Sequence, residues 1–472
     1  MSRETDPKSD PKSKSAIYPL IVEDRLQSWL TGLPIGDPRP WPPLRSRADA
    51  GFVRMTLGPA ALMLTTPFLA TLMWIAVAEY HGSIAEMIAA GPAEWWARAP
   101  TPTWTAVGIV SVWIAFQALL LRWLPGRRFL GPVTPAGVQP VFKLNGVAAW
   151  VITHGLIFGV LWPAGLLRPG ALYDHYGAVL SLMTIAAFGF CVFLYWKGRR
   201  YPTSPDTVYT GNLLFDFFQG IDLHPRLFGM NLKQLINCRV SMMGWSVVFC
   251  ACAAAQLERH GEVSSSMLAS VAVLVLYLFK FFWWEGGYFH SLDIMHDRFG
   301  YYICWGVLAW VPSMYCIPAL WLVDHPIAIS GWAALAIVAF GALSIWINYD
   351  ADAQRQRVRA TGGVTTVWGK APETMTARYV TADGEQRTSL LLLSGWWGVA
   401  RHFHYVPELA LAAAWTLPVG FTHALPWAYW IFLFFLLMDR SIRDEKRCAN
   451  KYGDDWLVYC QRVRWRVFPG IF

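Results

Sequence analysis

Gly177-Ala-Val-Leu-Ser-Leu-Met-Thr-Ile-Ala-Ala-Phe-Gly-Phe-Cys-Val-Phe-Leu-Tyr-Trp196 carries no charge, and Lys197-Gly198-Arg199-Arg200 follows it directly. About 20 apolar residues in a helix cross the hydrocarbon core of a bilayer. A basic cluster at one end marks the side kept in the cytoplasm. The same pattern recurs along the chain. Clear spans are predicted at 52–78, 104–124, 146–167, 177–196, 305–323, 327–347 and a short 427–438, with weaker ones at 240–257, 268–284 and 409–423. The expected fold class is therefore an all-α polytopic membrane protein with about ten transmembrane helices.

Composition agrees. Hydrophobic residues make up 55% and charged residues 15%, where a water-soluble domain carries about 25% charge. The 27 Trp suit membrane–water interfaces. A net charge of +8 also fits nucleic-acid binding. Here, however, the bases sit in short clusters between apolar runs, as in Arg127-Arg128, so the expected partners are membrane lipids and no nucleic acid. The eight Cys form no CxxC pair and no metal-ligand spacing, which reads as buried free thiols and no metal site. Residues 1–50 read as a polar, Pro-rich tail without an apolar signal segment, and 51–472 as one transmembrane domain. With the N-terminus in the cytoplasm, the Lys- and Arg-rich stretches 122–128, 197–239 and 348–401 all fall inside, while 79–98 and 256–262 fall outside. Two long polar loops, 198–239 and 348–401, are thus cytoplasmic. Within the second, 376–389 alternates around Asp383-Gly384 as a small hairpin.

Chemistry concentrates toward the C-terminus. Arg440, Asp444, Cys448 and Tyr452 are spaced four apart and share a helical face that runs directly out of the last span, with Arg443, Arg447 and Lys451 as a second, basic stripe. A solubilising ladder has the same spacing. Arg355 and Arg359, also four apart, suit a phosphate monoester or a plain positive-inside anchor. Residues 394–405 pack Trp396, Trp397, Arg401, His402 and His404 into one stretch, suited to a flat aromatic ligand or to interface anchoring. Lys280, Glu285, Asp293, His296 and Asp297 are ionisable groups near membrane depth, with Tyr301, Tyr302 and Tyr315 beyond. GxGxxG after a strand, a Walker loop and HExxH are all missing.

Two longer motifs carry a resemblance. One is Gly211-Asn-Leu-Leu-Phe-Asp216-Phe-Phe-Gln-Gly220-Ile-Asp-Leu-His224-Pro225-Arg226; the other runs from Leu436 through Asp439-Arg440 and Arg443-Asp444 to Cys448 and Lys451-Tyr452-Gly453. At these residues the chain resembles the sterol reductase family of 7-dehydrocholesterol reductase, sterol Δ14-reductase and lamin B receptor type. Trp368-Gly369-Lys370-Ala371-Pro372, Thr381-Ala382-Asp383-Gly384, 398–403 and Pro469-Gly470-Ile471-Phe472 lie nearest its 7-dehydrocholesterol branch.

The resemblance implies ten transmembrane helices and a C-terminal, cytoplasm-facing pocket for NADPH formed within about 348–472. It also implies a sterol substrate entering from the bilayer. Arg355 and Arg359 would hold the 2′-phosphate end, and Leu392, Trp397, Arg401, His402, Arg440, Arg443, Asp444, Cys448, Lys451 and Tyr452 the rest. Reduction of a sterol double bond, the ring Δ7 bond first and Δ14 or Δ24 as alternatives, needs a proton donor. The groups for that role are Glu285 and Tyr315 foremost, then Asp297 and His402. The implied membrane is the endoplasmic reticulum in a eukaryote or the inner membrane in a bacterium. Departures from the family pattern are His224 and His404 for Asn, Arg355 for Lys, Trp284 for Asn, Lys280 for an acid, and Asp439 for His or Arg. An isoprenylcysteine-type membrane methyltransferase and a non-catalytic sterol-binding protein are the rival readings.

Overall fold

The computed structural model describes residues 44–45, 51–134, 136–380 and 384–472. The tail expected over 1–50 lies almost wholly outside the described residues, as does Asp383. Among the described residues, eight helices are long and apolar enough to cross a membrane: α1 (Val53–Glu79), α2 (Trp104–Trp123), α4 (Tyr176–Arg200), α5 (Gln234–His260), α6 (Ser265–Trp283), α7 (Tyr301–Asp324), α8 (Gly331–Ala360) and α10 (Leu425–Tyr452). Two expected spans form shorter helices, α3 (Gly146–Leu161) and α9 (Tyr405–Thr416). A last helix, α11 (Asp454–Arg462), follows. The chain is thus a helical, multi-pass membrane protein.

Local chemistry sets the helix ends. Thr103, Ser264 and Ser330 each accept a backbone N–H three residues on, capping α2, α6 and α8. Trp162-Pro163 stops α3 short of the expected 167. Pro418 and Gly420, the latter at φ 72°, stop α9. Helix α10 continues beyond the expected span end at 438 to Tyr452, as the four-residue spacing from Arg440 to Tyr452 requires; its polar extension has no helix breaker before Gly453, at φ 53°.

Starts of α6 and α8 lie side by side: Ser266 N–H donates to the Ile327 carbonyl at 3.3 Å. Their other ends meet where Lys280 Nζ donates to Asn348 Oδ1 at 3.1 Å. That second face also carries the antiparallel hairpin of β1 (Thr374–Val380) and β2 (Gln386–Leu392), paired from Thr374↔Leu392 to Val380↔Gln386. The hairpin expected from alternation therefore forms. One apolar core joins α5, α6, α7, α9 and α10; another joins α2, α4, α5 and α7.

Candidate active site

The loop between α6 and α7 carries Glu285, Asp293, His296 and Asp297, and the rest of the chain grips it tightly. Gly220, at φ 89°, and Gly300 lie back to back; a Cβ on Gly220 would stand 2.4 Å from Gly300 N. Phe299 N–H donates to the Asp222 carbonyl at 3.0 Å. Asp222 itself accepts from buried Lys197 at 3.2 Å. Asp216 accepts from Thr210 N, Thr210 Oγ1 and Gly211 N, so the 211–226 motif is a loop scaffold. Lys233 Nζ donates to the carbonyls of Ile294 at 2.9 Å and Asp297 at 2.5 Å. Burial pushes this amine down to about 7, against the pull of Asp297 and Asp293.

That grip presents Asp293 to α10, where its carboxylate pairs with Arg440. Farther along α10, Arg443 pairs with Asp439 at 2.7 Å and Arg447 with Asp444 at 2.5 Å. His296 faces Asp444, Arg447 and Lys451, and burial holds it down to about 4. Burial raises the Asp297 carboxyl, helped by neighbouring Asp293 and opposed by Arg440.

A second group gathers at the end of α8. The Arg355 guanidinium lies 4.3 Å over the Trp397 ring and pairs with Asp352 at 2.9 Å. One turn on, Arg359 Nε donates to the Leu390 carbonyl of the hairpin at 3.3 Å. Leu392 and Trp397 are buried together with Val358 and Val367. The His404 ring stacks at 5.1 Å on Trp397, and His402 on Tyr405 at 5.5 Å. Burial lowers both imidazoles, His402 to about 4, so both are neutral. His402 Nε2 and His404 Nδ1 are enclosed with no hydrogen-bond partner. Enclosed polar atoms without partners are uncommon and call for a ligand or water. Cys448 and Tyr452 pack beside Trp456 and Tyr459, and Lys451 lies 4.0 Å over Tyr379.

Deeper in the bundle, the Tyr315 ring lies 4.1 Å from Tyr429 and 5.3 Å from Trp245. Asp293, Arg440, Tyr302 and Glu408 are among the ionisable groups that bear on it. Glu408 accepts from Asn348 at 3.0 Å and from the Tyr277 hydroxyl at 3.4 Å. The indole N–H groups of Trp245 and Trp415 are enclosed there without acceptors.

The four proton-donor candidates therefore stand in different places. Glu285 is 2% exposed and accepts from Arg239 through both oxygens, at 2.6 and 3.0 Å. The same guanidinium reaches Asn145 at 2.8 Å. Glu285 is thus a clasp between helices and needs its charge there. His402 is neutral, and Asp297 belongs to the outer loop. Tyr315 alone lies in the apolar interior. Arg401 is likewise committed, to Glu445 and to the carbonyls of Val463 and Arg464; it holds the segment after α11. Sequence reasoning passed over Glu408 and Arg239. An acid within the apolar run of α9 was the available signal for the first.

This donor set fits a nicotinamide dinucleotide phosphate: two guanidinium groups a turn apart, an indole platform, and unpartnered nitrogens beside them. The profile of the ergosterol biosynthesis ERG4/ERG24 family matches residues 57–472. The chain is 44% identical over 420 residues to the 7-dehydrocholesterol reductase of Arabidopsis thaliana, covering 87% of this chain and 96% of that protein. It is 34% identical over 417 residues to the Delta(14)-sterol reductase of Methylotuvimicrobium alcaliphilum, covering 87% and 94%. It is also 34% identical over 365 residues to the Delta(14)-sterol reductase LBR of Gallus gallus, covering 75% and 55%.

Proposed function

Since the chain belongs to the ERG4/ERG24 family of sterol reductases, we propose that it reduces the Δ7 ring double bond of a sterol with NADPH. The family match sets the methyltransferase reading aside. The observation that carries the proposal is two adjoining compartments: a cationic, aromatic one around Arg355, Trp397, His402 and His404, and an apolar one around Tyr315. Tyr405, Arg440 and Asp293 lie between them; Arg440, Asp444, Asp293 and Arg355 are the charges that bear on Tyr405.

Arg355 and Arg359 would hold the 2′-phosphate, and Trp397 would carry a ring of the dinucleotide. His402 and His404, neutral, supply hydrogen-bonding nitrogens without added charge. Arg440, fixed by Asp293, sets the boundary between the compartments. NADPH, when bound, supplies the hydride. Tyr315 holds the proton at its phenolic oxygen and donates it to the alkene, and the packed ring of Tyr429 fixes its direction. The surrounding Trp245 and Trp415 exclude water, which would otherwise capture the cation formed on the sterol. The face bearing Arg355 and Arg440 is cytoplasmic in this reading, from the distribution of Lys and Arg.

The test is product analysis. Purified protein is incubated with NADPH and 7-dehydrocholesterol, and in parallel with Δ14- and Δ24-sterols. Gas chromatography–mass spectrometry is expected to find the 7,8-saturated product only with NADPH. Reduction of a Δ14-sterol instead would move the assignment to that bond, and no reduction of any sterol would remove it. Arg355→Ala is expected to raise the KM for NADPH about 10-fold or more while leaving that for NADH unchanged, as loss of one charge-assisted phosphate contact predicts.

A further inference from the structure

Away from these compartments, a cavity of about 580 Å³ lies between α2, α3, α4, α5 and α7. Its wall is almost entirely apolar, with Trp113, Ile157, Val179 and Gly244 among its lining residues. Three polar groups on the wall are already satisfied by backbone carbonyls: Ser241 Oγ by Val307 and Tyr176 Oη by Pro312, both at 2.7 Å, and Trp113 Nε1 by Val240 at 3.1 Å. A ligand that fits this wall is therefore apolar over most of its body. Three π-helical stretches, Gly155–Leu161, Gln234–Met242 and Gly306–Tyr315, contribute to the wall. Such wide turns concentrate at functional places in helices.

The two ends of the cavity differ. At one lies Arg168, paired with Glu258 at 3.0 Å and Asp174 at 3.3 Å. This exposed ion cluster gives a single small polar group something to bond. Along α5 the lining runs from Val240 to Ala251, about 16 Å at the helical rise. At the inner side stand Trp245, Pro312 and Cys316. Trp245 is shared: its other side meets Tyr315 at 5.3 Å. Toward the bilayer, Val112 at the cavity rim is 70% exposed.

A long apolar body, one small polar end, access from the bilayer and a shared wall with the reaction compartment describe one occupant. We propose that this cavity is a holding site for a sterol, distinct from the reacting position beside Tyr315, with the Trp245 indole as the partition. The inference rests on the reading of the chain as a sterol reductase.

The experiment uses the full chain in nanodiscs with a photoreactive diazirine sterol and no NADPH, followed by peptide mapping. Labelling is expected on 104–123 and 176–183, competed by 7-dehydrocholesterol and not by phosphatidylcholine. Val179→Trp, which fills the cavity, is expected to cut that labelling at least 5-fold and to lower kcat/KM for the sterol with the KM for NADPH unchanged. Labelling confined to 405–452, or equal competition by phosphatidylcholine, would overturn the holding site while leaving the reductase reading intact. No sterol labelling anywhere would overturn both. Should Val179→Trp not fold, competition on the unaltered chain still decides.

Discussion

Glu285→Gln leaves the Arg239 guanidinium, 0% exposed, without its charged partner. Breaking a buried pair from one side costs about 3–5 kcal/mol. We therefore expect a lower thermal midpoint in detergent and a poor yield, with turnover per folded molecule retained; normal stability with abolished turnover would return Glu285 to the chemistry. Asp293→Asn acts differently, because Asp293 and Arg440 are partly open at 25% and 19%. Turnover is expected to fall at least 10-fold with the fold intact, and the exchanged pair Asp293→Arg with Arg440→Asp is expected to keep the fold but not to restore activity. The histidines predict a pH effect. His402 is neutral in the fold, held down to about 4 by burial, whereas unfolded it protonates near 6.5. Its contribution is complete above about 6.5 and is lost as pH falls toward 4, a destabilisation of roughly 3 kcal/mol. Melting curves across that window check it, and His402→Asn should flatten the slope. Several departures from the family pattern have local partners: Lys280 lies 5.3 Å over Trp284, Asp439 pairs with Arg443, and His404 stacks on Trp397. The residue type at each of these positions was legible in the sequence. The partner was not, because pairs such as Arg239–Glu285 join positions 46 apart in the chain, which no local spacing records.

Helix boundaries were legible to the extent that solvent dictates them. Apolar runs gave the spans, and alternation gave the hairpin. The polar continuations of α8 to Ala360 and α10 to Tyr452 were legible only from the four-residue spacing of Arg355 and Arg359 and of Arg440 to Tyr452, since beyond the bilayer hydropathy no longer marks a helix. Those continuations matter: they carry Arg355, Arg359, Arg440 and Asp444 out of the membrane on rigid rods. The π segments were not legible at all, because a single widened turn hardly alters the periodicity. The hairpin is tied to α8 through Arg359 and to α11 through the Tyr459 hydroxyl, which donates to the Leu392 carbonyl at 3.1 Å. Replacing 374–392 with a short Gly-Ser link is expected to weaken NADPH binding about 10-fold, measured by fluorescence titration, with sterol binding kept. Gly220→Ala should fare worse. Its φ of 89° and the near contact with Gly300 leave no room for a methyl group, so a loss of at least about 2 kcal/mol is expected, read as aggregation on extraction.

Across the whole molecule, ion networks of different kinds occupy the two faces. Arg168, Asp174, Glu258, Arg259 and Asp324 form one at the start of α8's face; Asp293, Arg440, Arg355 and the hairpin lie at the other. Single cysteines at positions 98 and 385, in a background lacking reactive thiols, are expected to react with an impermeant maleimide from opposite sides of sealed vesicles. Labelling of both from one side would contradict the arrangement. The Asp293–Arg440 link, which joins parts of the chain distant in sequence, also has a consequence in time. The two residues are 147 positions apart, and a ribosome adds about 5–20 residues per second. For roughly 7–30 s of every synthesis, Asp293 exists with no Arg440 to meet it. An aspartate held in the middle of a membrane helix would not be tolerated for that long; one on a water-facing loop waits hydrated until the last span arrives. Closing the pair is then among the late steps of biogenesis, and a nascent chain that stalls before α10 keeps an open carboxylate at Asp293.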